Sequence, residues 1–242
     1  ATAPGVDRRR RGSPVNPEQL LAHFDRISAA PDAVSRLRRF ILDLAVRGKL
    51  VEQDPRDEPA SELLKRIQAE KDGLIDEGVI KAHGPVATIS GDEEPYQVPA
   101  GWEWARFIEI AAIQSNLVNP CDYRKSPHIA PDNIESGTGR LLPYETIGAS
   151  AVFSAKHLFF AGCILYSKIR PALAKASVMD FDGLCSADMY PILPLLNRLY
   201  LHRFMLSQVF VNQAISEDNR VAMPKINQAS LSKILVAVPP LA

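Results

Sequence analysis

Apolar residues in the first third of the chain recur at helical intervals. Leu20, Leu21, Phe24 and Ile27 follow Asn16, Pro17 and Gln19, which supply an N-cap, a proline suited to a first turn and a capping-box partner. A short amphipathic helix is expected there. A second stripe, Val34, Leu37, Ile41 and Leu44, predicts a helix from about Ala33 to Arg47 ended by Gly48, with Arg36, Arg38 and Arg39 on its other side. A third is built on Leu63, Leu64, Ile67, Leu74 and Ile75 and runs from Glu58-Pro59 to about Glu77, where Gly78 stops it. Within it Glu62 and Arg66 have the i,i+4 spacing of a helical ion pair.

The pattern then changes. Residues 80–99 hold three prolines, two glycines and an acidic cluster, and read as a linker. Strand-like alternation follows at Gly101–Glu109, Ala151–Phe153, Cys163–Ile169, Ala176–Phe181 and Met189–Leu193, separated by turn signals such as "ESGTGR" and "DFDG". One helical run interrupts it at 197–215. The expected organisation is a leader (1–15), a helical region (16–78), a linker (79–97) and an α+β domain (98–242) with a curved, short-stranded sheet and packed helices.

With 242 residues, 46% of them hydrophobic, the chain can bury a substantial core. Its formal net charge is zero and its isoelectric point about 7.2, so no global field draws it to nucleic acid or to an anionic membrane. A polyanionic partner must be held by local patches. Three cysteines without a C-x-x-C pair suit a reducing compartment, and the expected location is the cytoplasm. No apolar run approaches the roughly 18 residues of a membrane span, and the arginine-rich leader lacks a signal-peptide core and reads as a solvated tail.

Charge is nevertheless uneven. Between Glu145 and Asp180 lie Lys156, Lys168, Arg170 and Lys175 and no acid. Strand alternation puts Ile164, Tyr166 and Lys168 on one side and Leu165, Ser167 and Ile169 on the other until Pro171, so Lys168 and Arg170 are expected to share a face near a strand end.

Motifs for bond chemistry are missing. Asn-Pro at 16–17 and 119–120 is not followed by the Pro-aromatic pair of an amino-methyltransferase, and "GTG" at 137–139 lacks the rest of a nucleotide fingerprint. Pro-Asp occurs at 31–32 and 131–132, but no acid stands two positions before a lysine, as a metal-dependent nuclease would require. His23, His83, His128, His157 and His202 are scattered without metal-ligand spacing. Ser167 lacks a nucleophile elbow, and Cys185 has only Asp188 nearby as a polar partner. Two readings remain, solvated surface loops or binding of DNA or RNA: Arg124, Lys125 and His128, Arg140, the island residues, and Arg220 and Lys225 lie in loops or at strand ends, where cations neutralise phosphates and polar side chains read base edges.

The blocks "LRRFILDLAVRGKLVEQDPRDEPASELLKRIQAEK" (37–71), "VPAGWEWARFIEI" (98–110), "LYSKIRPALAKASVMDFDGLCSADMYPI" (165–192) and "MPKINQASLSKILVAVPPL" (223–241) resemble, in order, the specificity (S) subunits of type I restriction-modification systems. Such subunits usually carry two target recognition domains joined by long helices, each domain reading half of a bipartite DNA site. The resemblance implies a non-catalytic chain that binds double-stranded DNA and positions a methyltransferase (M) subunit, which carries S-adenosylmethionine, and an ATP-driven restriction (R) subunit. No membrane partner is implied. Residues 16–78 would contribute to the M contact and the α+β domain would be one target recognition domain. The single domain, ending at "VPPLA", leaves two expectations: a truncated chain, or a half-subunit that pairs with itself as a homodimer. An assembly scaffold that binds M without specific DNA binding of its own is the competing reading. Lys168, Arg170, Lys175, Lys225 and Asn227 fall in family-wide blocks and are expected to contact phosphate or hold local structure, Asp188 to cap or pair internally. Base reading is expected from 119–140, on Arg124, Lys125, His128 and Arg140.

Overall fold

The computed structural model describes residues 32–216 and 224–241; the leader, the helix expected on Leu20–Ile27, and Arg220 lie outside the described residues. The chain divides into two compact units, residues 1–41 and 42–242. The described part of the first is the opening of helix α1 (Ala33–Val46), where the Asp32 carbonyl accepts from the Arg36 N–H at 2.9 Å and the Ser35 hydroxyl at 3.0 Å. All later elements belong to the second unit.

Both expected glycine stops occur. Past α1, Gly48 takes φ 63°, its N–H reaches the Ala45 carbonyl at 3.0 Å and the Lys49 N–H reaches Leu44 at 2.9 Å. Helix α2 (Ala60–Asp76) ends identically, with Gly78 at φ 72° and Val79 bonded back to Leu74 at 2.9 Å. A left-handed residue at this position satisfies carbonyls that the helix leaves open, and glycine adopts it without a Cβ penalty. The Glu62–Arg66 pair does not form. Lys65 takes Glu62 at 2.8 Å, and Arg66 reaches back to Glu58 at 3.0 Å.

Thereafter come β1 (Glu103–Arg106), a single helical turn α3 (Phe107–Ile110), β2 (Ala111–Ile113), β3 (Leu117–Val118), β4 (Pro127–Ile129), β5 (Glu145–Thr146), β6 (Lys156–Phe159), β7 (Ile164–Ser167), β8 (Ala176–Val178), β9 (Gly183–Cys185), β10 (Met189–Pro194), α4 (Arg198–Met205), α5 (Gln208–Ser216), α6 (Gln228–Lys233) and β11 (Leu235–Val238). This is an α+β architecture, but among the described residues the single expected sheet is three: β1-β11, β2-β10-β7-β8 and β3-β6-β9-β4-β5, in the last of which β4 and β9 pair in parallel.

The strand run expected over Gly101–Glu109 is broken by α3, because Glu109 turns back to accept the Arg106 N–H at 2.6 Å and caps a helical turn. Ala151–Phe153 is not a strand; Ala151 sits at φ 49°, outside the extended region. The helical run 197–215 is two helices. Buried Ser207 separates them, its hydroxyl donating to Phe204 at 2.6 Å and accepting from the Phe210 N–H at 3.3 Å.

Strand alternation decides where the apolar surface goes. In β7, Ile164 and Tyr166 enter the larger core with α4, α5 and β11, while Leu165 joins a smaller core with Ile129, Phe159, Cys185 and Met189. The four-stranded sheet is therefore the partition between two hydrophobic layers. Period-two geometry requires this when both faces of a strand are covered. Residues 79–97 carry no helix or strand, yet Tyr96 donates to the Val46 carbonyl at 2.6 Å and buried Arg106 holds Ala87 and Glu93, each at 2.9 Å.

Candidate nucleic-acid interface

Strand β7 stops at Ser167, and the chain there is stitched to two other segments. The Arg170 N–H donates to Pro224 at 2.8 Å and the Ile226 N–H to Lys168 at 2.9 Å, making an antiparallel bridge between Ile169 and Lys225. The Lys168 N–H donates to the Asp188 carbonyl at 3.0 Å. Three cations, Lys168, Arg170 and Lys225, are thereby brought to one corner from two distant parts of the sequence.

Each is held differently. The Lys168 ammonium lies 5.3 Å from the centre of the Tyr190 ring, a cation–π distance. Lys225 pairs with Asp188 at 3.1 Å, which is the internal pairing expected of that acid. Arg170 is exposed and makes no side-chain bond with the described residues. Its backbone is left-handed, φ 48° and ψ 62°, and its N–H is held by the Pro224 carbonyl. Strand alternation ends before Arg170, so Lys168 and Arg170 do not share a strand face as expected.

The rest of the basic island turns inward. Lys156 is 5% exposed and donates to the Ser154 carbonyl and hydroxyl, each at 2.7 Å; burial lowers its pKa. Lys175 donates to the Pro131 carbonyl at 2.7 Å with Asp132 at 3.8 Å, tying two turns together. Asn227 caps α6, accepting the Ser230 N–H at 2.8 Å.

In the loops expected to read bases, Arg124 and Lys125 are exposed, follow the 3-10 turn Pro120–Tyr123 and make no side-chain bond with the described residues. The Arg124 carbonyl receives the Gly148 N–H at 2.8 Å, which anchors the loop. Arg140 is engaged by Glu135 through Nη2 at 2.6 Å and Nε at 3.2 Å. His128 lies on β4, 8% exposed, with a pKa lowered first by burial and then by the Lys156 ammonium. It lines an open cleft of about 400 Å³ with Asn133, Tyr144, Glu145 and Ser150. Sequence reasoning passed over Tyr144 and Glu145. The available signal was that Glu145 is the last acid before the acid-free stretch. Among the described residues no three His, Cys, Asp or Glu side chains gather to hold a metal, and no helix is long and apolar enough to cross a membrane.

No sequence-family profile matches the chain. It is 39% identical over 230 residues to the specificity subunit of the type I restriction enzyme EcoDI from Escherichia coli, covering 93% of this chain and 48% of that one. The chain belongs to the family of type I restriction specificity subunits. The specificity subunit of EcoEI, also from Escherichia coli, is 40% identical over 151 residues, covering 62% of this chain and 25% of that one. This specificity-family chain thus spans about half the length, or less, of these curated relatives. The crystal structure of the HsdS subunit from Thermoanaerobacter tengcongensis shares its fold, with a TM-score of 0.52 at 22% identity over 62% of this chain and 40% of that one.

Proposed function

We propose that this specificity-family chain recognises one half-site of a double-stranded DNA target, in the cytoplasm, and positions methyltransferase (M) and restriction (R) subunits there. Its residues 98–242 act as one target recognition domain, and the helical region 16–78 contributes to the M contact. The chain itself breaks and forms no bonds; S-adenosylmethionine belongs to the M partner and ATP to the R partner. The observation that carries the reading is the corner of Lys168, Arg170 and Lys225 on a chain of zero net charge. A uniformly basic protein would bind all DNA through its phosphates, whereas a local corner on a rigid backbone fixes orientation and leaves sequence to the loops.

The test is selection from a random duplex library by the chain together with its M subunit, at two salt concentrations. Enrichment of a half-site, or of a symmetric bipartite site if two copies pair, supports the proposal. Retention of M without any enriched sequence favours the scaffold reading. Lys168→Ala with Arg170→Ala should weaken binding about equally on all sequences and reduce the log–log salt slope by about 2, since each phosphate contact contributes roughly 0.9.

A further inference from the structure

Glu145 is exposed and borders the acid-free stretch 146–179, yet it pairs with no cation among the described residues. It stands on β5 directly opposite His128 of β4. Residues paired in this way project to the same side of the sheet with Cβ atoms about 5 Å apart. Tyr144, 40% exposed, lies against Phe181 with ring centres 5.4 Å apart and planes 23° apart, an aromatic wall beside the carboxylate. His128 makes the floor, and its Nε2 is closed to solvent and has no hydrogen-bond partner. A buried polar atom left without a partner is unusual and calls for an explanation. β5 is a two-residue strand at the edge of its sheet.

A carboxylate accepts hydrogen bonds and donates none, and phosphate repels it. Its use on a DNA-facing surface is therefore to take a bond from a base amine. In the major groove that pattern favours cytosine N4. An aromatic edge beside it excludes water and packs against the base plane. We infer that the β4–β5 cleft is a base-reading subsite in which Glu145 accepts from the exocyclic amine of a cytosine, with Tyr144 packed against that base over the His128 floor. The inference rests on the DNA-recognition reading and deepens it. The imidazole, whose pKa is lowered by burial and by Lys156, adds no charge to attract phosphate.

The test compares the unaltered chain, Glu145→Gln and Glu145→Ala, each with the M subunit, in the same random duplex selection, after thermal unfolding has shown equal stability. Glutamine presents a donor as well as an acceptor and suits adenine. The expected result is that Glu145→Gln lowers the preference for cytosine at one position about tenfold in favour of adenine, and that Glu145→Ala flattens that position, all others being unchanged. If the unaltered chain selects a motif that both variants reproduce at every position, or weaken uniformly, the subsite is refuted and DNA recognition stands. If the unaltered chain selects no sequence, both readings fall.

Discussion

Lys71 offers a direct measurement of what a charge costs inside this fold. It stands four residues after Ile67 and seven after Leu64, on the apolar stripe of α2, and is 1% exposed. Its ammonium donates to the Ile108 carbonyl in α3. Burial lowers its pKa from 10.5 to about 8, although Glu109 and Asp72 pull it back up. At about 1.4 kcal/mol per pH unit, that difference represents roughly 3 kcal/mol against keeping the charge inside. Between pH 8 and 10.5 the unfolded chain binds the proton that the folded chain gives up, so this contribution makes stability rise with pH across that window. Other groups act in the opposite sense there. The Cys163 thiol is pushed up to about 12 and ionises only on unfolding. Such groups are common to the protein and to Lys71→Met, so the difference between the two isolates the lysine. Urea unfolding of both from pH 7 to 10.5 should show the unaltered protein gaining about 3 kcal/mol relative to the variant. Parallel curves would show that water reaches the ammonium and would refute the burial argument.

Three further outcomes are expected. Gln213 clamps both backbone groups of Leu235, donating to its carbonyl at 2.9 Å and accepting its N–H at 2.8 Å. Gln213→Ala should lower the unfolding free energy by about 2–3 kcal/mol in urea titration, and Gln213→Glu, which can still accept, should lose less. Gly139 takes φ 70°, and a Cβ there would overlap the Ala176 carbonyl and the His202 ring; Gly139→Ala should destabilise by about 2 kcal/mol or more, read as a lowered melting temperature. Burial lowers the pKa of His128, His157 and His202. The unfolded chain takes up protons near pH 6.5 that the folded chain refuses, so stability should fall as pH drops below that value. A urea midpoint equal at pH 7.5 and 5.5 would contradict the neutral, buried placement.

The sequence by itself determined the elements whose signals are local. Helical periodicity and the two glycines marked α1 and α2 within a residue or two, because a left-handed stop requires glycine wherever the helix packs. Alternation marked β7 and β10, since a two-sided partition needs apolar residues on both faces. Lys71 was legible in principle, as a charge standing on an apolar stripe. The basic island was legible as composition but not as surface. Lys156 turns back onto Ser154, two residues away, whereas Lys175 reaches the carbonyl of Pro131, a segment far away in sequence. The same holds for the corner, where Lys225 meets Ile169 and Arg170 only through pairing across more than fifty residues of chain. Short strands such as β4 and β5, three and two residues long, carry too few side chains for a period to show. Their sheet exists because neighbouring strands complete its hydrogen bonds, and only that pairing set Glu145 opposite His128.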